Sequence, residues 1–192
     1  MTAFDDVNQG PPTTVTELLR TCNAAPRFAA DVLAGRPYPD AEALVARAEA
    51  VARSLPWDEV TRALAAHPRI GDRVEGASAE AQASRREQSS MSDADAEVRA
   101  ALVEGNRAYE ERFDHVFLIR AAGRSPREML AELRRRLAND VETERAEVTE
   151  QLAQITALRL KGLLVARTTG ERASQGAPAT EERNESGMEP MN

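Results

Sequence analysis

Cysteine is almost missing from this chain. Cys22 is the only one, so no internal disulfide and no four-cysteine metal site can form, and a reducing cytoplasm suits such a composition. Aromatic residues make up only 4% of the chain, a poor supply for sheets. No apolar run approaches the roughly 20 residues that cross a bilayer, so no membrane association is expected. Basic residues are in deficit, 25 against 32 acidic ones for a net charge of −7, which argues against a nucleic-acid-binding surface. Neither a glycine-rich phosphate loop nor a Gly-x-Ser-x-Gly elbow occurs, so nucleotide hydrolysis and serine-esterase chemistry lose their usual support. With only two histidines, His67 and His115, and no His-x-x-x-His spacing, no metal site is expected. The opening residues carry neither the basic nor the apolar region of a secretory signal, and the last three do not match a Ser-Lys-Leu address, so a cytoplasmic location is expected.

What is present is alanine, leucine, glutamate and arginine, with 42% hydrophobic and 30% charged residues, and that balance favours helices around a buried core. The expected fold is all-α: a single compact multi-helix bundle over residues 13–166, preceded by a flexible arm at 1–12 and followed by a disordered tail at 167–192. Thr14 with Glu17, Ser125 with Glu128 and Asn139 with Glu142 read as capping boxes, and Asp40 as an N-cap. Val116 to Ile119 reads as a short extended segment broken at Gly123. Val141, Val148, Leu152, Ile155, Leu158 and Leu163 predict one apolar face on a long helix. No fixed-period repeat is present, which disfavours a solenoid.

Four places can carry chemistry. His67 sits at a predicted helix end in the string His67-Pro68-Arg69-Ile70-Gly71-Asp72, where the proline and glycine turn would expose the imidazole as a neutral-pH acid or base. Its alternative is a cap on the carbonyls of its own helix, which spacing alone favours. Ser84, Glu87 and Gln88 lie at i, i+3 and i+4 of a predicted helix, so they share a face that can grip a polar ring or simply meet water. The main chain of Ile119, Arg120, Ala121, Ala122 and Gly123 would leave N–H donors free, or else serve as a connector. Arg159 can fork onto a carboxylate, although most helix arginines face water.

Taken in order, the His67–Asp72 string, Ser84-x-x-Glu87-Gln88, Asn106-x-x-Tyr109, Phe117-Leu118-Ile119, Gly123-Arg124-Ser125 and Arg136-Leu137-x-Asn139-Asp140 resemble the OHCU decarboxylase family, over roughly residues 22–164. OHCU is 2-oxo-4-hydroxy-4-carboxy-5-ureidoimidazoline, an intermediate of urate breakdown. The resemblance implies an all-helical, cofactor-free enzyme, commonly a homodimer, that releases CO2 from this small substrate to give (S)-allantoin. It implies His67 as catalytic acid/base and Glu87 as its partner. Pro68, Ser84, Gln88, the Ile119–Gly123 main chain and Arg159 then contact substrate. Asp114, where many relatives have glycine, and Phe28, where tryptophan is frequent, depart from the pattern. A non-catalytic helical module that binds a ureide or a protein is the alternative. A hydrolase acting on 5-hydroxyisourate is disfavoured, since that transthyretin-like architecture is rich in strands.

Overall fold

The structure, a computed structural model, describes residues 2–67, 69–70 and 96–174, with side chains through residue 165. The described residues form eight helices and no strand: α1 Ala3–Gln9, α2 Pro12–Cys22, α3 Pro26–Ala34, α4 Ala41–Arg53, α5 Trp57–Leu64, α6 Ala96–Phe113, α7 Pro126–Arg136 and α8 Val141–Ser174. The all-α expectation holds. No helix among the described residues is long and apolar enough to cross a membrane.

The expected flexible arm is instead α1. Thr2 and Asp5 close a capping box, Ala3 and Val7 are fully buried, and Asn8 exchanges hydrogen bonds with both main-chain groups of Tyr38, at 2.9 and 2.7 Å. Two buried apolar side chains four residues apart, with Phe4 beside them and Asn8 bonded to Tyr38, dock this short helix. Thr14 caps nothing, because α2 already starts at Pro12, whose fixed φ suits a first helical position. Asp40 and the Ser125–Glu128 box cap α4 and α7 as expected. For α8 the cap is Asp140, which accepts from the Thr143 N–H at 2.9 Å, while the Asn139 amide turns inward to Glu144 and Glu147. The last helix runs through Ser174, past the expected boundary at 166, and residues 175–192 lie outside the described residues.

Helix α8 is the spine. It packs chiefly along α4 and also touches α1, α2 and α5. Its buried face is not the single stripe expected: Val148, Leu152 and Ile155 are buried, whereas Val141 is 50% and Leu158 37% exposed. Along the C-terminal half, Ala153, Thr156, Ala157, Leu160 and Leu164 take over the buried positions. At about 100° per residue this arc lies roughly a third of a turn round the helix, so Leu158 points away from it.

Two apolar clusters result. The larger joins α1–α5 to α8. The smaller joins α6 and α7 with Ile70. The non-helical segment 116–121 stitches them together: Val116 and Leu118 enter the larger cluster, and Phe117, Ile119 and Ala121 the smaller. Such alternation is what an extended chain produces, since successive side chains leave opposite faces. The expected extended segment is present, without a strand partner among the described residues.

Candidate functional site

Helix α5 ends at Leu64, and the chain winds on for three residues until the His67 N–H reaches the Leu64 carbonyl at 2.9 Å. This brings the imidazole back over its own helix, with Nδ1 3.0 Å from the Ala63 carbonyl oxygen. A carbonyl can only accept, so Nδ1 carries the hydrogen and the neutral ring keeps its lone pair on Nε2. The capping alternative is therefore what Nδ1 does. The ring is not exposed as the proline and glycine turn suggested but only 8% accessible.

Nε2 is buried and has no hydrogen-bond partner among the described residues. Burial, and after it the positive charge of Arg159, push the His67 pKa down from 6.5 to about 4, with the Ala63 bond opposing. His67 is therefore neutral at pH 7, with a base site at Nε2. Arg159 of α8 is half-buried, and its charge is felt also by Cys22, whose thiol burial pushes up to about 11. Arg159 thus lies near enough to His67 for its charge to act on the imidazole.

Helix α6 holds the chain just beyond His67. Asn106 Nδ2 donates to the Ile70 carbonyl at 2.8 Å, and the Arg69 guanidinium lies bidentate on Glu110. Pro68, Ser84, Glu87 and Gln88 lie outside the described residues.

The Ile119–Gly123 segment corrects one expectation. The Arg120 N–H is not free, because Gln151 Oε1 accepts it at 2.8 Å. Two residues earlier, Arg136 Nη1 donates to the Leu118 carbonyl at 2.8 Å. Beyond them Arg124 N–H closes a turn onto the Ala121 carbonyl at 3.0 Å, with Gly123 at φ 81°, a third-position angle that glycine adopts without strain. Ile119 and Ala121 are buried, Arg120 and Ala122 half-buried and Gly123 exposed.

Behind this segment lies a buried ion pair. Arg136 and Glu144 are 1% and 0% exposed, with Arg136 Nε 2.8 Å from Glu144 Oε1. Tyr109 donates to the same Glu144 oxygen, and its own ionisation is pushed up chiefly by burial. Asn139 reaches the other oxygen at 2.8 Å, and the Arg136 guanidinium lies 4.7 Å from the centre of the Phe117 ring. Sequence reasoning assigned no site role to Glu144 or Gln151. For Glu144 a signal existed: it precedes Val148 by four residues, so it lies on the apolar face. For Gln151 there was none. His115, the other histidine, sits among the rings of Trp57, Tyr109 and Phe113 and faces the Val116 carbonyl at 3.2 Å.

The family model for OHCU decarboxylase matches residues 8–161. A solved structure titled as OHCU decarboxylase in the presence of (S)-allantoin is similar at 24% identity and a TM-score of 0.66, covering 78% of this chain and 98% of that one. A solved (S)-allantoin synthase is similar at 18% identity and a TM-score of 0.62. There the match covers 85% of this chain and 54% of the other, so the chain spans about half of that protein. These two similarities carry the fold. No curated protein matches the chain.

Proposed function

The chain belongs to the OHCU decarboxylase family, and from that premise we propose that His67 is the acid/base of a cofactor-independent conversion of OHCU into (S)-allantoin. The observation that carries this reading is the buried, neutral imidazole whose Nδ1 is committed to Ala63 and whose Nε2 has no partner among the described residues.

The reaction breaks one C–C bond, moves the hydroxyl proton and takes up one further proton. The C4–carboxylate bond of OHCU cleaves, CO2 leaves, and its electron pair passes into the neighbouring ring C=N, whose nitrogen takes up a proton from the solvent and becomes N–H. The C4 hydroxyl gives up its proton and becomes a carbonyl, while C5 gains a proton and becomes the stereocentre. The net result is allantoin and CO2, with no change of redox state. The ring is its own electron sink, so the protein's part is positioning and charge. A neutral Nε2 can accept the hydroxyl proton. The imidazolium then formed is buried beside Arg159, which makes it a strong acid ready to return the proton. Delivery from one fixed face sets the (S) configuration. Arg159 is suited to hold the departing carboxylate, and a carboxylate bound there would offset the charge that keeps His67 deprotonated.

Glu87 as partner of His67, and Pro68, Ser84 and Gln88 as substrate contacts, belong to the same proposal on the strength of the motifs that carry the resemblance. So do the Ile119–Gly123 main chain, a homodimeric state and a cytoplasmic location. Light scattering on the purified chain checks the dimer.

The test is OHCU generated in place from urate, with circular dichroism reading the handedness of the product. The wild type is expected to give (S)-allantoin without added cofactor, and His67→Gln to lose about 10²–10⁴-fold in rate while keeping its helicity. Full stereospecific activity in folded His67→Gln refutes the role of His67. Binding of allantoin without turnover of OHCU by the wild type supports the non-catalytic alternative.

A further inference from the structure

Two hydrogen bonds flank Ile119. Arg136 holds the carbonyl of Leu118, and Gln151 holds the N–H of Arg120. The only cis peptide among the described residues is Arg36–Pro37, so both peptide planes beside Ile119 are trans, and each aims its C=O and N–H in opposite directions. The Ile119 N–H therefore points away from the Arg136 guanidinium, and the Ile119 C=O away from the Gln151 amide.

The two holds come from one side. Arg136 is itself held by Glu144, and Glu144 and Gln151 are seven residues apart on α8, within about 20° of the same face. In an extended residue the N–H and C=O leave the same edge of the chain, and the alternating burial of residues 116–121 marks this stretch as extended. Neither Ile119 group makes a hydrogen bond among the described residues. One donor and one acceptor are thus presented together, the complement of an –NH–C(=O)– unit, which ureides carry in both ring and side arm.

We propose that Gln151 is a positioning residue: its side-chain oxygen, acting through the Arg120 N–H, keeps the Ile119 donor and acceptor turned outward to bind an –NH–C(=O)– group of the ureide. The inference rests on the substrate class given under Proposed function. It places no reacting atom at Gln151.

Gln151→Met keeps the length of the side chain and removes the acceptor, whereas Gln151→Glu keeps an acceptor. Gln151→Met is expected to raise KM for OHCU about tenfold with kcat within about twofold, and Gln151→Glu to stay within about threefold of wild type in both. A KM unchanged in folded Gln151→Met overturns the proposal, and so do equal losses in the two variants, which indicate packing. An independent reading uses the wild type alone. Amide exchange followed by NMR is expected to show Arg120 protected with or without (S)-allantoin, and Ile119 slowed at least tenfold by saturating (S)-allantoin. An Ile119 amide indifferent to the ligand overturns the proposal even if Gln151→Met does not fold. A wild type that neither turns over OHCU nor binds (S)-allantoin defeats the substrate reading itself and this inference with it, whereas active wild type with an unaffected Gln151→Met defeats only the role of Gln151.

Discussion

Two buried ionisable centres among the described residues are treated in opposite ways. Around Arg136 and Glu144 partners have been supplied: Tyr109 and Asn139 on the carboxylate, the Leu118 carbonyl on the guanidinium, and the Phe117 ring against its face. At His67 only one ring nitrogen is bonded, while Nε2 has no partner among the described residues. Burying charge is costly, and an ion pair is tolerated inside a core when its remaining hydrogen-bonding capacity is met. The first centre meets that condition and serves as a strut that fixes segment 116–121. The second keeps a base site open in a place that penalises protonation, the condition under which a histidine exchanges protons with a bound substrate.

This contrast can be broken most severely at the strut. Glu144→Leu leaves the buried Arg136 charge with only the more distant Glu147 carboxylate, 3.9 Å away, and is expected to cost about 3–5 kcal/mol in thermal or denaturant unfolding. The double variant Arg136→Leu/Glu144→Leu is expected to recover part of that loss, because no lone charge remains. A double variant less stable than the single one would show that the pair contributes more than charge balance.

At His67 the expected effect on stability is smaller and has a definite sign. The folded-state pKa is about 4, below the 6.5 of the unfolded chain. Above pH 6.5 both states are neutral. Between 6.5 and about 4 only the unfolded state takes up the proton, so stability falls as the pH falls through that window and levels off below it. Denaturant titrations across the range are expected to show this slope in the wild type and a smaller one in His67→Gln, where His115, whose pKa burial also lowers, still contributes.

Removing the amide that holds Ile70, as Asn106→Ala does, leaves a carbonyl unpaired and is expected to cost about 1–3 kcal/mol and to disturb the chain next to His67. The melting temperature and the KM for OHCU both report it. Asp114 has a φ of 59°, the left-handed region in which glycine is unstrained and aspartate is tolerated. Asp114→Gly is expected to raise stability by at most about 1 kcal/mol. Least of all, breaking the exposed Arg53–Glu150 pair that joins α4 to α8, by Arg53→Ala, is expected to cost under about 1 kcal/mol.

Much of the fold was legible because it rests on local rules. The caps at Asp40 and Ser125, the proline starts and the extended run at 116 each depend on a few adjacent residues. Errors arose where tertiary contacts decide. Helix α1 is held by the larger cluster and Tyr38, and the buried face of α8 turns partway along because different neighbours meet its two halves. The site divides in the same manner. His67 and Arg159 stood out as residue types, but the commitment of the Arg120 N–H to Gln151 and the Glu144 strut depend on contacts between residues 8 to 35 apart in sequence, and the burial of the His67 ring follows from no local rule.

The central claim is that His67 is a neutral base at neutral pH with its lone pair on Nε2. An NMR titration of the imidazole nitrogens in the folded enzyme tests it directly. A proton resident on Nδ1, an unprotonated Nε2 at pH 7 and a midpoint near 4 are the expected result. A midpoint near 6.5, or a proton resident on Nε2 at pH 7, would contradict the account.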